Sequence, residues 1–338
     1  MATVRGGIDL GGTKIQAVIV DGRGAVLGQS RRPTPTSGGP PAVIAVLAEA
    51  IDEAAADAGV ASSKLAGVGL GSPGEIDARR GTVSQARNLP DWIGPYPVVR
   101  ELSRAVGAPV AIGNDVQVAT DAEFHLGAGK PYRSLLGVFW GTGVGGGIVL
   151  DGKPWTGRGA AGEIGHVVVK DGGARCGCGR RGCMEAYAGR ASMEARARRR
   201  ARKGEKTNLF KIMEKRGRTR LTSGVWARAV EEGDSLAVEL FDRAVSYLGA
   251  GIGSAVNLLD VEAVVLGGGL GVRFGPTHLE QIRAATMPHV FADDRPPDLL
   301  VAALGDLGGA TGAALLRPSR PRPARRSAGA AARTRTRR

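Results

Sequence analysis

Cysteine is scarce, with only three among 338 residues, too few and odd in number for a disulfide framework. Long apolar runs are missing as well. The longest uncharged stretch, Ser134 to Leu150, holds six glycines and falls short of the roughly 20 apolar residues a membrane span needs. The first residues lack the apolar core of a secretory signal, so a soluble, cytoplasmic protein with no membrane partner is expected. A Walker loop, G-x-x-x-x-G-K-[ST], occurs nowhere. Aromatic residues are only 4% of the chain, whereas glycine is abundant at 54 residues. Those glycines follow no G-X-Y period, which excludes collagen, and a hydrophobic share of 43% excludes wholesale disorder. The length suits about two domains of roughly 100–200 residues, of α/β type.

A net charge of +14 points at first to a polyanionic partner. Its placement alters that reading. Nine arginines and no acid lie in Arg317–Arg338, for +9, and thirteen Lys or Arg against three Glu lie in Arg190–Arg220, for +10, leaving −5 for the rest. The tail 317–338, mostly Arg, Pro, Ala, Ser, Thr and Gly, cannot bury a core and is expected to be a disordered appendage with at most a weak polyanion contact. The internal segment reads as a helix over Ala191–Lys203 followed by a polar loop, its charge a solvated face.

Along the body, residues 4–10 and 15–20 read as strands joined by Gly11-Gly12-Thr13, with a third strand near Ala25–Ser30. Helical apolar spacing covers Pro40–Ala58 and stops at Gly59. Short buried strands are expected at Leu65–Leu70 and Pro109–Ile112, and helices near Val98–Val106 and 116–127. Leu135–Phe139 and Gly147–Leu150 read as strands flanking the turn Gly141–Gly146. A long helix over Ser235–Leu259, the strand Ala263–Leu266, the run Gly267-Gly268-Gly269 and a helix from about Gly309 to Leu316 complete the chain. A strand, a glycine turn with a Thr and a returning strand therefore occur twice, about 130 residues apart, which implies a duplicated pair of lobes around a cleft.

Glycine turns can cradle phosphate, because the missing side chain lets backbone N–H groups approach an anion and take positive φ. Gly141-x-Gly143-x-x-Gly146 satisfies G-x-G-x-x-G but opens into a strand, not the helix a dinucleotide fold requires. Two such turns, with Asp9 before the first, favour a two-sided clamp for a magnesium nucleotide; the plainer alternative is a pair of ordinary hairpins. Cys176, Cys178 and Cys183 lie within eight residues, with His166 ten residues upstream of the first. Three thiolates and an imidazole form a closed tetrahedral zinc set, which makes the metal structural. Asn114-Asp115 directly follows the strand Pro109–Ile112, at a strand end where α/β clefts place ligands; the same pair is also good chemistry for capping the next helix.

Taken in order, these motifs resemble a known family. Asp9-Leu10-Gly11-Gly12-Thr13-Lys14 is similar to the first phosphate motif of the actin-like sugar kinases. Gly141-Thr142-Gly143-Val144-Gly145-Gly146 is similar to their second, and Gly267-Gly268-Gly269 to their adenosine motif. Glu163-Ile164-Gly165-His166, followed by Cys176-Gly177-Cys178-Gly179-x-x-Gly182-Cys183-x-Glu185, resembles the ROK family of bacterial sugar kinases and repressors over about residues 5–316. The resemblance implies the two-lobed α/β actin-like ATPase (ribonuclease H-like) fold. The expected division is a smaller lobe over 1–113 to which 301–316 returns, and a larger lobe over 114–300 with the zinc knuckle at 166–183.

The same resemblance implies an ATP-dependent kinase that phosphorylates glucose at its 6-hydroxyl. Mg-ATP and structural zinc would be its cofactors, and a homo-oligomer, dimer or tetramer, its assembly. Asp115 becomes the base, Asp9 the water-mediated magnesium ligand, and Asn114, Glu163, His166 and Glu185 sugar ligands, with Gly74 and Glu75 as lesser contacts. Val116-Gln117-Val118-Ala119 departs from the family's usual Ala-Asn-Ala-Ala at that helix start. N-acetylmannosamine, N-acetylglucosamine, fructose and allose are alternative acceptors. A sugar-responsive transcriptional regulator is the alternative of another class, disfavoured because only eight residues precede Asp9 where a DNA-reading domain would stand.

Overall fold

The computed structural model describes residues 3–86 and 88–317. The tail expectation for 318–338 lies outside the described residues. Strands β1 (Arg5–Leu10), β2 (Lys14–Val20), β3 (Val26–Pro33), β4 (Val68–Ser72) and, after the small hairpin β5 (Glu75–Asp77) and β6 (Thr82–Ser84), β7 (Val110–Asn114) make the first lobe's strands. Its sheet has the order β3-β2-β1-β4-β7, antiparallel for the first three strands and parallel from β1 through β7. A second sheet repeats that plan: β10 (Lys153–Pro154), β9 (Val144–Leu150), β8 (Leu135–Trp140), β11 (Ala263–Gly267) and β12 (Asp298–Val301). Again the hairpin strands are antiparallel and the last three parallel. The duplicated α/β fold expected from the two glycine hairpins is present.

Each sheet covers its own core. Helices α1 (Gly39–Asp57) and α2 (Val98–Val106) bury Leu47, Ile51 and Leu102 against Ile8, Ile15 and Leu70. On the second sheet, α3 (Asp115–Leu126) lies on one face. The other face carries α4 (Glu185–Ala188), α5 (Arg190–Arg202), α6 (Leu209–Lys215), α7 (Ser223–Glu231), α8 (Ser235–Leu259) and α9 (Gly268–Thr286), around Trp140, Phe241 and Phe274. Trp140 stacks on both phenylalanines, with ring centroids 5.9 and 6.1 Å away. Among the described residues no helix is long and apolar enough to cross a membrane.

Two helices tie the sheets together by way of glycine. The last helix, α10 (Gly308–Leu315), returns to the first sheet, where a Cβ at Gly7 would sit 2.0 Å from the Ala310 carbonyl and one at Gly69 1.7 Å from that of Ala313. Helix backbone thus rests directly on strand backbone, which no larger residue permits. Helix α3 leaves β7 of the first sheet and packs on the second, its Thr120 filling the space above Gly137 and Gly147. Gln117 locks this contact: its Nε2 donates to the Ile148 carbonyl at 3.2 Å and its Oε1 accepts from the Ile148 N–H at 3.0 Å. Gln117, one of the residues that depart from the family pattern, is therefore a buried joint between α3 and β9.

Three local expectations need correction. β9 begins at Val144, so Gly145 and Gly146 belong to the strand and the turn is only Gly141–Gly143. The polar loop expected after α5 contains α6, whose Leu209, Ile212 and Met213 are buried. Nor is α5 merely a solvated face: buried Glu194 pairs with Arg198 at 2.8 Å and Arg220 at 3.1 Å, and Arg200 pairs with Glu205 at 2.5 Å.

Candidate active site

The C-terminal ends of the parallel strands bring the first group of residues together. Asp9 at the end of β1 is level with Gly71 of β4, and Ser72 of β4 with Asn114 of β7. Asn114 caps α3, its Oδ1 accepting from the N–H groups of Val116 and Gln117, both at 3.1 Å. The cap and the strand-end position are thus one and the same residue, and the cap sets Asp115 at the first position of the helix. Burial pushes the Asp115 carboxyl up to about 6, and the nearby charges of Asp9 and Glu163 add to the effect. Burial also raises Asp9, with Lys14 opposing and Asp306 reinforcing the shift. The Asp9 carboxylate lies against the start of α10: a Cβ at Gly309 would be 2.8 Å from its Oδ2.

The first turn is tight, the Gly11 N–H donating to the Lys14 carbonyl at 2.9 Å. Thr34 braces it, Oγ1 donating to the Gly11 carbonyl at 2.6 Å. Lys14 bonds Gln16 at 2.9 Å and pairs with Asp306 at 3.4 Å. Gly267–Gly269 begins α9, and Gly268 has φ 74, a left-handed value that favours glycine. The second turn faces this run, since a Cβ at Gly141 would lie 3.7 Å from the Gly269 nitrogen. Positive φ does not explain the glycines of the two turns: none of Gly11, Gly12, Gly141, Gly143, Gly145 or Gly146 has one. They supply room instead. A Cβ at Gly143 would collide with Glu185 Oε2 at 2.2 Å, and one at Gly145 would meet Val116 at 2.9 Å. Gly74, at φ 96, and exposed Glu75 sit where β4 leads into the β5–β6 hairpin, Glu75 Oε2 accepting from Ser84 at 3.4 Å.

His166 and the three cysteines converge as their spacing implied. Their donor atoms all lie within 4.8 Å of one another. Cys178 and Cys183 Sγ are 3.8 Å apart, as are Cys176 Sγ and His166 Nδ1. Tetrahedral zinc at its usual bond lengths of about 2.0–2.3 Å separates its ligand atoms by roughly 3.5–3.8 Å, so the donor set fits the ion. Burial pushes the Cys176 thiol up, so a bare thiolate there is costly and a divalent cation would offset that cost. The other ring nitrogen, Nε2, faces Glu163 Oε2 at 3.9 Å, and that carboxylate is largely exposed. Glu185 is different: its Oε2 accepts from the Val144 N–H at 2.9 Å, and Cys176 Sγ lies 3.7 Å from Oε1.

Arg190 was hidden in the basic segment. Its Nη2 donates to Thr142 Oγ1 at 2.7 Å and its Nη1 to the Leu221 carbonyl at 2.9 Å, while Nε is buried without a partner. The only signal in the sequence is position, five residues after Glu185 at the first residue of α5.

A profile described as "ROK family" matches residues 5–320. A glucokinase of Streptomyces coelicolor is 32% identical over 312 residues, covering 91% of this chain and 95% of its own. The N-acetylgalactosamine kinase AgaK of a Shewanella species is 33% identical over 323 residues, 92% of this chain and 95% of its own. Among solved structures, a ROK family glucokinase from Streptomyces griseus in complex with glucose and AMPPNP superposes with a TM-score of 0.76 at 30% identity, covering 92% of this chain and 98% of that one.

Proposed function

The chain belongs to the ROK family, and on that footing we propose that it is an ATP-dependent sugar kinase that phosphorylates glucose on its 6-hydroxyl. The observation that carries this reading is the placement of Asp115. It is a carboxylate raised to about 6, set at the start of α3 by the Asn114 cap and near the charges of Asp9 and Glu163. A carboxylate of that strength is ionised at neutral pH yet basic enough to take a proton from an attacking hydroxyl. The sugar oxygen then bonds to the γ-phosphorus, the bond from that phosphorus to the β-phosphate oxygen breaks, ADP leaves and the proton remains on Asp115.

The other residues bind and orient. Asp9 would hold magnesium, which would neutralise the charge of the phosphates, Gly11–Lys14 and Gly141–Gly143 would receive those phosphates, and Gly267–Gly269 would adjoin the adenosine. Gly145 and Gly146 give the second turn its close backing. Asn114 offers its Nδ2 to a sugar hydroxyl. Glu163, His166 Nε2 and the remaining lone pairs of Glu185 accept or donate to others, and Gly74 with Glu75 edges the acceptor. His166, Cys176, Cys178 and Cys183 would hold structural zinc, which supplies no open position for chemistry. Residues 1–113 with 301–316, and residues 114–300, act as lobes that close on the ligands and exclude water.

The relatives named as glucokinases and the solved glucokinase bound to glucose and AMPPNP support glucose as acceptor. The relative named as an N-acetylgalactosamine kinase favours the second reading, an N-acetylhexosamine as acceptor on the same machinery. Phosphorus–proton NMR of the product tests the reaction directly. Coupling of a new phosphomonoester to the two C6 protons of glucose is expected in a magnesium-dependent reaction with ATP. Release of inorganic phosphate with no sugar ester would contradict it.

A further inference from the structure

Zinc, in the reading above, supports the sugar side. The geometry points to a second duty: the segment Glu185–Ala191 makes the cysteine–histidine centre a support for the phosphate-donor turn, with Glu185 and Arg190 as its positioning residues. This inference rests on the nucleotide reading of Gly141–Gly143 given above.

Chain leaving the last cysteine ligand, Cys183, runs within two residues to Glu185, whose carboxylate spans from Cys176 Sγ at 3.7 Å to the Val144 N–H at 2.9 Å. From there the segment follows the turn residue by residue. Trp140 Nε1 donates to the Ala188 carbonyl at 2.7 Å, just before the turn. The Arg190 N–H donates to the Gly141 carbonyl and the Ala191 N–H to that of Thr142, both at 3.0 Å. Arg190 Nη2 then takes the Thr142 hydroxyl at 2.7 Å, fixing its rotor. The backbone comes so close that a Cβ at Gly189 would lie 3.4 Å from the Gly143 Cα. Gly143 itself admits no side chain because the Glu185 carboxylate fills that space. The turn is therefore clamped at both ends, by Glu185, two residues beyond the last cysteine, and by Arg190 at the end of the same segment.

Consequences differ from those of a purely sugar-side metal. An intact centre holds Glu185 in register, Glu185 holds the Val144 amide, and Arg190 fixes Thr142, so the turn meets phosphate already ordered. Loss of the ion releases Cys183, two residues before Glu185, and with it the chain that sets the register of the Glu185 carboxylate. The turn then has to be ordered by the ligand itself, which weakens donor binding even with no sugar present.

The test uses the zinc-loaded full chain and three measurements that need no turnover: zinc content, amide exchange of the peptide spanning 140–146, and calorimetric affinity for Mg-ADP without sugar. Supporting groups around a metal site typically contribute about 10–100-fold, so Glu185→Ala is expected to speed exchange in that peptide and weaken Mg-ADP at least tenfold while zinc stays bound. Glu185→Gln, whose amide oxygen still accepts from Val144, should recover most of both. Arg190→Met should weaken Mg-ADP with zinc retained, and wild type stripped by a chelator should behave like Glu185→Ala. Unchanged exchange and unchanged Mg-ADP affinity in Glu185→Ala and in stripped wild type would overturn the inference, as would a protein with no Mg-ADP affinity at all. If Glu185→Ala does not fold, Arg190→Met and the stripped protein decide. A chain that phosphorylates no hexose while exchange and Mg-ADP affinity follow zinc would refute the sugar kinase reading and keep this one. An active sugar kinase indifferent to zinc on the donor side would do the reverse.

Discussion

Asp115→Asn lowers turnover by at least the ~10²-fold typical of losing a general base, while glucose affinity changes far less. The amide keeps the shape of the carboxylate and an acceptor for the Val116 N–H, which Asp115 Oδ1 now takes at 2.9 Å, but it cannot take the proton. In the wild type, burial and the charge of Asp9 put this group at about 6, so kcat/KM should rise with pH through about 6 and level off above it. The variant's residual rate should lose that limb. Stability moves the other way. A carboxyl whose folded pKa lies above its unfolded value stabilises the fold fully below about pH 4, and that contribution is lost as pH climbs through 6. Without magnesium or nucleotide, Asp115→Asn should therefore be more stable than wild type at pH 8 by on the order of 2–3 kcal/mol, converging with it near pH 4. Denaturant unfolding at both pH values reads this. A variant with near wild-type turnover and no stability gain would assign the base elsewhere.

Cys178→Ser is expected to release zinc and impair both substrates. A hydroxyl is a poor ligand for this ion, and no fifth donor stands among the described residues of the cluster. On the sugar side, His166 loses the bond that orients its ring, with Nε2 facing Glu163, so the KM for glucose should rise at least 10–100-fold, about the range for lost supports of a metal site. On the donor side, the hold of Glu185 on Val144 loosens and the KM for Mg-ATP should rise too. Atomic absorption with both Michaelis constants checks this. A zinc-free variant with a normal KM for glucose would mean that the cluster stabilises a remote surface.

Much of this site is legible in sequence because its parts are local. Asn114-Asp115 announces a cap and a strand end at once, and the knuckle ligands fall within 18 residues from His166 to Cys183. Helices α2 and α8 lie where the sequence places them, at Val98–Val106 and Ser235–Leu259. What stayed hidden depends on distance or on tertiary rescue. Glu185 and Val144 are 41 residues apart, and nothing in either neighbourhood says that one carboxylate fills the space over Gly143. Glycines that look like conformational hinges turn out to be clearances for a carboxylate, a valine or a helix backbone. Helix α9 escapes local reading because four glycines and Pro276 lie in its first half, and it stands only because Leu270, Phe274 and Ile282 are buried beneath it. Arg190 is indistinguishable from its basic neighbours until the fold sets it against Thr142.

The sharpest single measurement is the rate of magnesium-dependent ADP release with ATP over a panel of glucose, fructose, N-acetylglucosamine, N-acetylmannosamine and N-acetylgalactosamine. Glucose should give the highest kcat/KM, at least about tenfold above any N-acetylhexosamine, a margin of about 1.4 kcal/mol in transition-state binding. A higher value for an N-acetylhexosamine would contradict glucose as the acceptor, and ADP release that no sugar stimulates would contradict the kinase itself.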